Sequence, residues 1–266
     1  MSSDFSQWPV DTVSAAIMSD PAQPPQLYGD PQHIFELASV TKLLATYGFL
    51  IAYEEGIFEL DEEIFPNNIT ARHLLSHASG VGFSASDSAK PPLTRRIYSS
   101  YGFEMLAQKV QAEAEMSFAT YLDEAIFQPL GMTATSLWGS AGHEARSCVR
   151  DLLAFMQELT HPQLLASETL KQAWTVQYPQ LDGIVPGYGM HKPCPWGLGF
   201  EIHGEKSPHW LGRSMPADIV GHFGQSGTFM WVHPRSGKGA VVLTDRPFGP
   251  WAKDLWAVAN EEIFKA

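Results

Sequence analysis

The chain has 266 residues, 44% hydrophobic and 12% aromatic, which is enough apolar mass for a packed core in one large domain or two small ones. A formal net charge of −12 and a sequence pI of about 5.2 leave no general cationic footprint for nucleic acid or for an anionic membrane surface. Cys148 and Cys194 are too few for a disulfide framework and stand in no Cys-x-x-Cys or Cys/His metal spacing, so they read as small core or surface residues, with a single disulfide the lesser alternative.

The opening MSSDFSQWPVDTV has no positive segment ahead of an apolar run, and no later stretch has the length needed to cross a bilayer, which gives the expectation of a cytoplasmic protein. Residues 12 to 29 read as two short strands, VSAAIM and PQLYG, around the turn-prone DPAQPP. ASVTKLLATYGFLIAYEEG then sets Val40, Leu43, Leu44, Tyr47, Leu50 and Ile51 at helical spacing, with Gly56 as the stop. Thr70 is a candidate N-cap for ARHLLSHASG, ending at Gly80, and a polar loop with Pro91 and Pro92 follows. Helical patterns continue through GFEMLAQKVQAEA, FATYLDEAIFQPLG, RDLLAFMQEL and SETLKQAW. From Trp196 the pattern turns aromatic-rich with period 2, in WGLGFEIH, GTFMWVHP, the turn RSGKG and AVVLTDR, before a last amphipathic segment, WAKDLWAVANEEIFKA. Strands at both ends with helices between imply an α+β fold: an antiparallel sheet domain from residues 1–35 and 179–266, and a mainly helical insertion at 36–178. A site is expected in the cleft between them.

Ser39 and Lys42 stand three apart at the start of the strongest helix, on one flank of it and outside the stripe of Val40, Leu44 and Tyr47. A serine hydroxyl is a weak nucleophile until a neighbour takes its proton, and a lysine made neutral by burial can do so. The helix start adds a partial positive field and free N–H groups. A Ser-x-x-Lys spacing nevertheless arises by chance about once in a chain of this composition. Ser86-Asp87-Ser88, in a polar loop, has the weaker claim to a catalytic motif. His73 and His77 read as buried histidines bonding their own loop. His191, His203, His209 and His233 show no helical metal spacing, so neither metal nor cofactor is expected. Trp196, Trp231, Trp251 and Trp256 read as core packing, and Gly197, Gly199, Gly224 and Gly227 as close backbone approaches.

The order of the blocks adds to this. FELASVTKLLATYGFLIAYEEG, ITARHLLSHASGV, IYSSYGFEML, FQPLGMTATS, WGLGF and GHFGQSGTF together resemble the serine β-lactamase-related family, which includes class C β-lactamases, D-alanyl-D-alanine carboxypeptidases, D-aminopeptidases and β-lactamase-fold esterases. The resemblance runs from about Phe35 to about Arg246 and implies a β-lactamase/penicillin-binding-protein-like fold. By it Ser39 matches the nucleophile, Lys42 the neighbouring base and Tyr98 the tyrosine of the Tyr-x-Asn element, while the N–H groups of Ser39 and Gln225 form the oxyanion hole. His222-Phe223-Gly224 matches the Lys-Thr-Gly element in a His-x-Gly form, and Ser100, His222, Phe223 and Gly224 fall at substrate-binding positions. Ser100 stands where the family has asparagine and His222 where it has lysine. The amide that holds an acylamino side chain and the permanent carboxylate anchor are therefore both missing. The expected activity is a serine hydrolase forming an acyl-enzyme on small esters or amides. A β-lactamase or D-alanyl-D-alanine peptidase and a catalytically inactive binding module are the alternatives. The expected partner is a small ester, amide or lactam, with no nucleic acid and no membrane; the oligomeric state stays open.

Overall fold

The computed structural model describes residues 4–266. Its main sheet has six strands: β1 (Val13–Met18), β2 (Gln26–Tyr28), β3 (Glu201–Ile202), β4 (Val220–Gly224), β5 (Thr228–Val232) and β6 (Gly239–Thr244). They lie in the order β3-β4-β5-β6-β1-β2 with every neighbouring pair antiparallel. Both chain ends thus build one sheet, β1 seated between β6 and β2 with Ala16 opposite Val241 and Leu27.

Among the described residues there are seven α-helices: α1 (Thr41–Glu54), α2 (Ala71–Leu75), α3 (Tyr101–Ala114), α4 (Phe118–Leu122), α5 (Val149–Thr160), α6 (Ser167–Ala173) and α7 (Pro250–Lys265). Side chains alternate across β4 to β6. Phe223, Phe229, Trp231 and Val242 pack with Trp256 and Ile263 of α7, while Met230, Val241 and Leu243 join the core built on α1 and α5. The strands β4, β5 and β6 are buried along their whole length because helices cover both faces.

Helix α1 differs from its expected amphipathic form. Every residue from Thr41 to Ala52 is buried, since the helix passes through the middle of the molecule with no solvent-facing side. Helix α2 is also shorter than the pattern to Gly80 suggests. Thr70 caps it as expected, its hydroxyl accepting from the His73 N–H, but His77 takes a left-handed backbone (φ 56°) that ends the helix and turns its ring inward. There Nδ1 of His77 accepts the Ser99 N–H at 3.2 Å, which ties α2 to the segment entering α3. The FATYLDEAIFQPLG stretch is α4 followed by a single π-turn at Asp123–Phe127, closed by Gln128 N–H to Asp123 O at 2.8 Å. Cys148 and Cys194 are both buried free thiols.

The loop that carries Tyr98 has no regular structure of its own and is held by one cation. Arg96, 4% exposed, donates to the carbonyls of Cys194 at 2.6 Å, Gln177 at 2.7 Å, Tyr178 at 3.2 Å and Ser76. Burial pulls its pKa down to about 10, yet it stays charged at neutral pH. Replacing Arg96 by methionine leaves four carbonyls without that donor. The expected cost is ~2–4 kcal/mol in a urea unfolding experiment, and a loss below ~0.5 kcal/mol would show that these carbonyls find other donors.

Candidate active site

The short strand Phe35–Glu36 runs into a 3-10 turn, Ala38–Val40, that leads directly into α1. Ala38 has φ 45°, a left-handed backbone uncommon for a residue with a Cβ, so the chain turns sharply just before Ser39. Ser39 therefore sits half-buried in the turn ahead of α1, with Lys42 in the helix proper. At the second position of that turn its N–H lies upstream of the repeating intrahelical bonds. The turn joining β4 and β5 comes against this elbow from far along the chain. Thr228 Oγ1 donates to Leu37 O at 2.9 Å and Ser226 Oγ to Glu36 O at 2.6 Å. Gly224 permits the approach, because a Cβ there would lie 2.3 Å from Leu37 O.

Lys42 is fully buried, and its amine does not bond Ser39 as the spacing suggests. Nζ donates to Gly142 O at 2.7 Å and to Ser100 Oγ at 3.1 Å, and lies 4.6 Å from the centre of the Tyr98 ring. Burial pulls its pKa down to about 7, partly offset by the Glu104 carboxylate. A neutral amine, the form that accepts a proton, is thus populated at physiological pH.

Tyr98 faces His222, its hydroxyl 3.3 Å from Nε2. His222 lies on β4 opposite Met230 and is 2% exposed. Its Nδ1 stands 2.7 Å from the Phe223 carbonyl, which only accepts, so Nδ1 carries a proton. Burial and then the Lys42 charge pull the His222 pKa down to about 4. A neutral ring protonated on Nδ1 has an accepting Nε2, so the Tyr98 O–H donates to it and the phenol lone pairs are left for Ser39. Burial raises the Tyr98 pKa far above the usual phenol range, opposed by the adjacent Ser39 side chain.

A cleft of about 270 Å³ opens on this group, lined by Ser39, Phe83, Tyr98, Val185, Pro186, Trp196, Glu201, His222, Phe223 and Gln225. The sequence-expected Ser39, Tyr98, His222, Phe223 and Gln225 thus meet at one cavity, with Lys42 directly behind them. Ser100 and Gly224 do not line it: Ser100, 3% exposed, is the partner of the Lys42 amine, and Gly224 backs onto Leu37. Trp196, read from sequence as core, is buried but forms a cleft wall. An outer groove of about 210 Å³ continues past Phe83, Tyr98 and Pro186 to Ile97, Ile184 and Arg95.

Glu201 is the main residue that sequence reasoning passed over. Its buried carboxylate accepts from His209 Nε2 and Trp210 Nε1, both at 2.8 Å, and pairs with buried Lys206 at 3.2 Å. Burial pushes its pKa up, but Lys206 and His209 outweigh that and hold it well below the usual range. The one signal in the sequence is a lone acid inside the apolar run GLGFEIH. Phe83, Val185 and Pro186 lie in loops or short hairpins with no local signature of a site. Among the described residues no group of three or more His, Cys, Asp or Glu is placed to hold a metal ion, and no helix is long and apolar enough to cross a membrane.

A family model described as Beta-lactamase matches residues 29–262, and the chain belongs to this family. The fold is shared at TM-score 0.95 with a beta-lactamase from Mycobacterium bovis, 44% identical over 98% of this chain and 97% of that one. It is shared at TM-score 0.74 with the D-amino acid amidase from Ochrobactrum anthropi SV3, 19% identical over 97% of this chain and 93% of that one. Penicillin-binding protein 4* of Bacillus subtilis is 28% identical in a 138-position alignment that covers 40% of this chain and 31% of that protein's length.

The Lys42 environment has a measurable thermodynamic signature. With a native pKa of about 7 against 10.5 unfolded, the unfolded chain binds more protons between those values, and stability rises with pH across that window. Lys42→Met removes this dependence, so the variant is expected to gain melting temperature over wild type more strongly at pH 6 than at pH 9. Equal differences at the two pH values would place the native Lys42 pKa near its ordinary value.

Proposed function

We propose that this protein is a serine hydrolase that acts through an acyl-enzyme on small neutral esters or amides, with Ser39 as nucleophile. The observation that carries the reading is the convergence on one cleft of the Ser39 hydroxyl, a Tyr98 phenol whose O–H is engaged elsewhere, and a buried Lys42 amine that is readily neutral. In the first step Ser39 attacks the substrate carbonyl and its proton ends on the neutral Lys42 amine, the Tyr98 phenol accepting the Ser39 O–H and itself staying protonated. The developing oxyanion accepts from the Ser39 and Gln225 N–H groups. The stored proton then goes to the leaving alkoxide or amine. Water attacks the acyl-enzyme by the same route in reverse, releasing the acid and free Ser39.

The walls speak for the substrate class. Phe83, Val185, Pro186, Trp196 and Phe223 are apolar, His222 is neutral, and Glu201 is a paired anion. Among the described residues the cleft wall carries no unpaired cation to anchor a substrate carboxylate, and the exposed Arg95 stands in the outer groove. Uncharged substrates with apolar substituents fit this surface, whereas a β-lactam or a D-alanyl-D-alanine terminus brings a carboxylate. The lactam reading stands as the second possibility because the Mycobacterium bovis structure, 44% identical, is described as a beta-lactamase.

Ser39→Ala is expected to lose at least ~10³-fold in kcat/KM on a short-chain p-nitrophenyl ester while keeping its melting temperature. Tyr98→Phe is expected to lose ~10²- to 10⁴-fold. Wild type should turn over the ester far faster than a chromogenic cephalosporin, and intact-mass spectrometry should find the acyl adduct on Ser39. Efficient cephalosporin cleavage would transfer the assignment to a β-lactamase. Undiminished ester turnover by Ser39→Ala would remove the nucleophile, and absence of turnover and of labelling by a covalent serine probe would favour a binding module.

A further inference from the structure

The carbonyl that holds the Lys42 amine does not come from α1 or from the Tyr98 segment. It belongs to Gly142, in the loop joining the short strands Ser136–Leu137 and Ala145–Ser147. That loop is itself tied down by side chains. The Gly142 N–H donates to Ser140 Oγ at 3.1 Å, the Ser140 hydroxyl donates to Glu104 Oε1 at 2.5 Å, and the Ser140 N–H donates to Glu144 Oε2 at 2.5 Å. The loop packs closely on the Lys42 site, since a Cβ on Gly142 would lie 2.7 Å from Ser100 Cβ. Glu104 stands in the first turn of α3, so the helix that follows Tyr98 and Ser100 also anchors the loop that completes the Lys42 shell.

We propose that Glu104 is a positioning residue of the active site, holding the Gly142 carbonyl against the Lys42 amine through Ser140 and supplying the negative charge that acts on that amine. The proposal rests on the reading of Lys42 as a proton acceptor. Two roles meet in one side chain. The hydrogen bond to Ser140 is geometric, and an uncharged acceptor of the same shape can make it. The charge is electrostatic and is the opposing influence to burial at Lys42. The other titratable groups facing Lys42 are Tyr98, His77 and His222. Burial holds the phenol protonated and both imidazoles neutral. Their charge states stay constant while Lys42 titrates.

The two roles separate by mutation. The base form of Lys42 is the neutral one, so kcat/KM rises with pH along an acidic limb that reports its deprotonation. Glu104→Gln keeps the bond to Ser140 and removes the anion. With less to stabilise the ammonium, Lys42 loses its proton more easily, and the limb should move to lower pH by about half a unit or more while the plateau changes little. That is a roughly threefold gain relative to plateau at pH values below the limb. Ser140→Ala keeps the anion and breaks the clamp. Its plateau should fall at least ~10-fold with little movement of the limb, and Glu104→Asp should restore the wild-type limb position. A limb unmoved in Glu104→Gln, in a variant with wild-type melting temperature, overturns the proposal, as does a Ser140→Ala plateau equal to wild type. Lys42→Ala tests the underlying reading separately: retained turnover there removes Lys42 as the base whatever Glu104 does.

Discussion

A fully buried lysine amine is the feature around which the rest of the site is arranged. Removing an ammonium from water costs several kcal/mol even after the surroundings relax. The protein meets that cost partly with acceptors, the Gly142 carbonyl and the Ser100 hydroxyl, and partly by letting the amine give up its charge near neutrality. Both answers serve the chemistry. Fixed acceptors hold the nitrogen beside the Tyr98 ring, and the lowered proton affinity populates the neutral amine that the proposed role of base requires. The same burial explains why α1 has no polar face, since the helix must run through the core to bring Lys42 there.

Protonation states in the cleft are divided by environment. Tyr98, His222 and Lys42 lie within one small volume, and burial acts on all three by disfavouring whichever form is charged. The phenol stays protonated, the imidazole stays neutral, and only the amine is placed to change charge near pH 7. Direction follows from tautomer. With Nδ1 of His222 committed to the Phe223 carbonyl, the bond from Tyr98 to Nε2 runs one way. A lysine at that position would donate in the opposite direction and would bring the cation that the cleft lacks. Glu201 in the wall is already compensated by Lys206 and His209 behind it, so it lends the cavity structure without a free charge.

The scaffold brings together parts distant in sequence by bonding backbone to side chain across the two chain ends. Leu37 and Thr228 are 191 residues apart, yet one hydrogen bond joins them and sets the β4–β5 hairpin beside the Ser39 elbow. Arg96 does the same for the irregular Tyr98 loop. Four carbonyls share one guanidinium, a planar fork suited to serving several acceptors at once. The candidate site of this chain therefore rests on polar ties that are individually small and collectively specific.

Local sequence was enough to set out the elements and to name the candidate reacting groups. The spacing of α1, the Thr70 cap, the terminal hairpin strands and the helix Pro250–Lys265 are written in local periodicity and turn chemistry, which depend only on near neighbours. Ser39, Lys42, Tyr98, His222 and Gln225 could be named because their residue types and order form a recognisable series. Tertiary structure decided how those groups relate. It placed Ser39 in the turn ahead of the helix, directed the Lys42 amine to Ser100 and Gly142 instead of Ser39, and moved Ser100 from the cleft wall to beneath the lysine. It also brought Glu201, marked in the sequence only as a lone acid in an apolar run, to the cleft, together with Phe83 and Pro186 from segments with no local signature, and bonded Ser140 to Glu104 beside the lysine. The physical reason is that burial, and the proton affinities it sets, are properties of the packed surroundings. No window of neighbouring residues contains the carbonyl, the carboxylate or the wall that another part of the chain will supply.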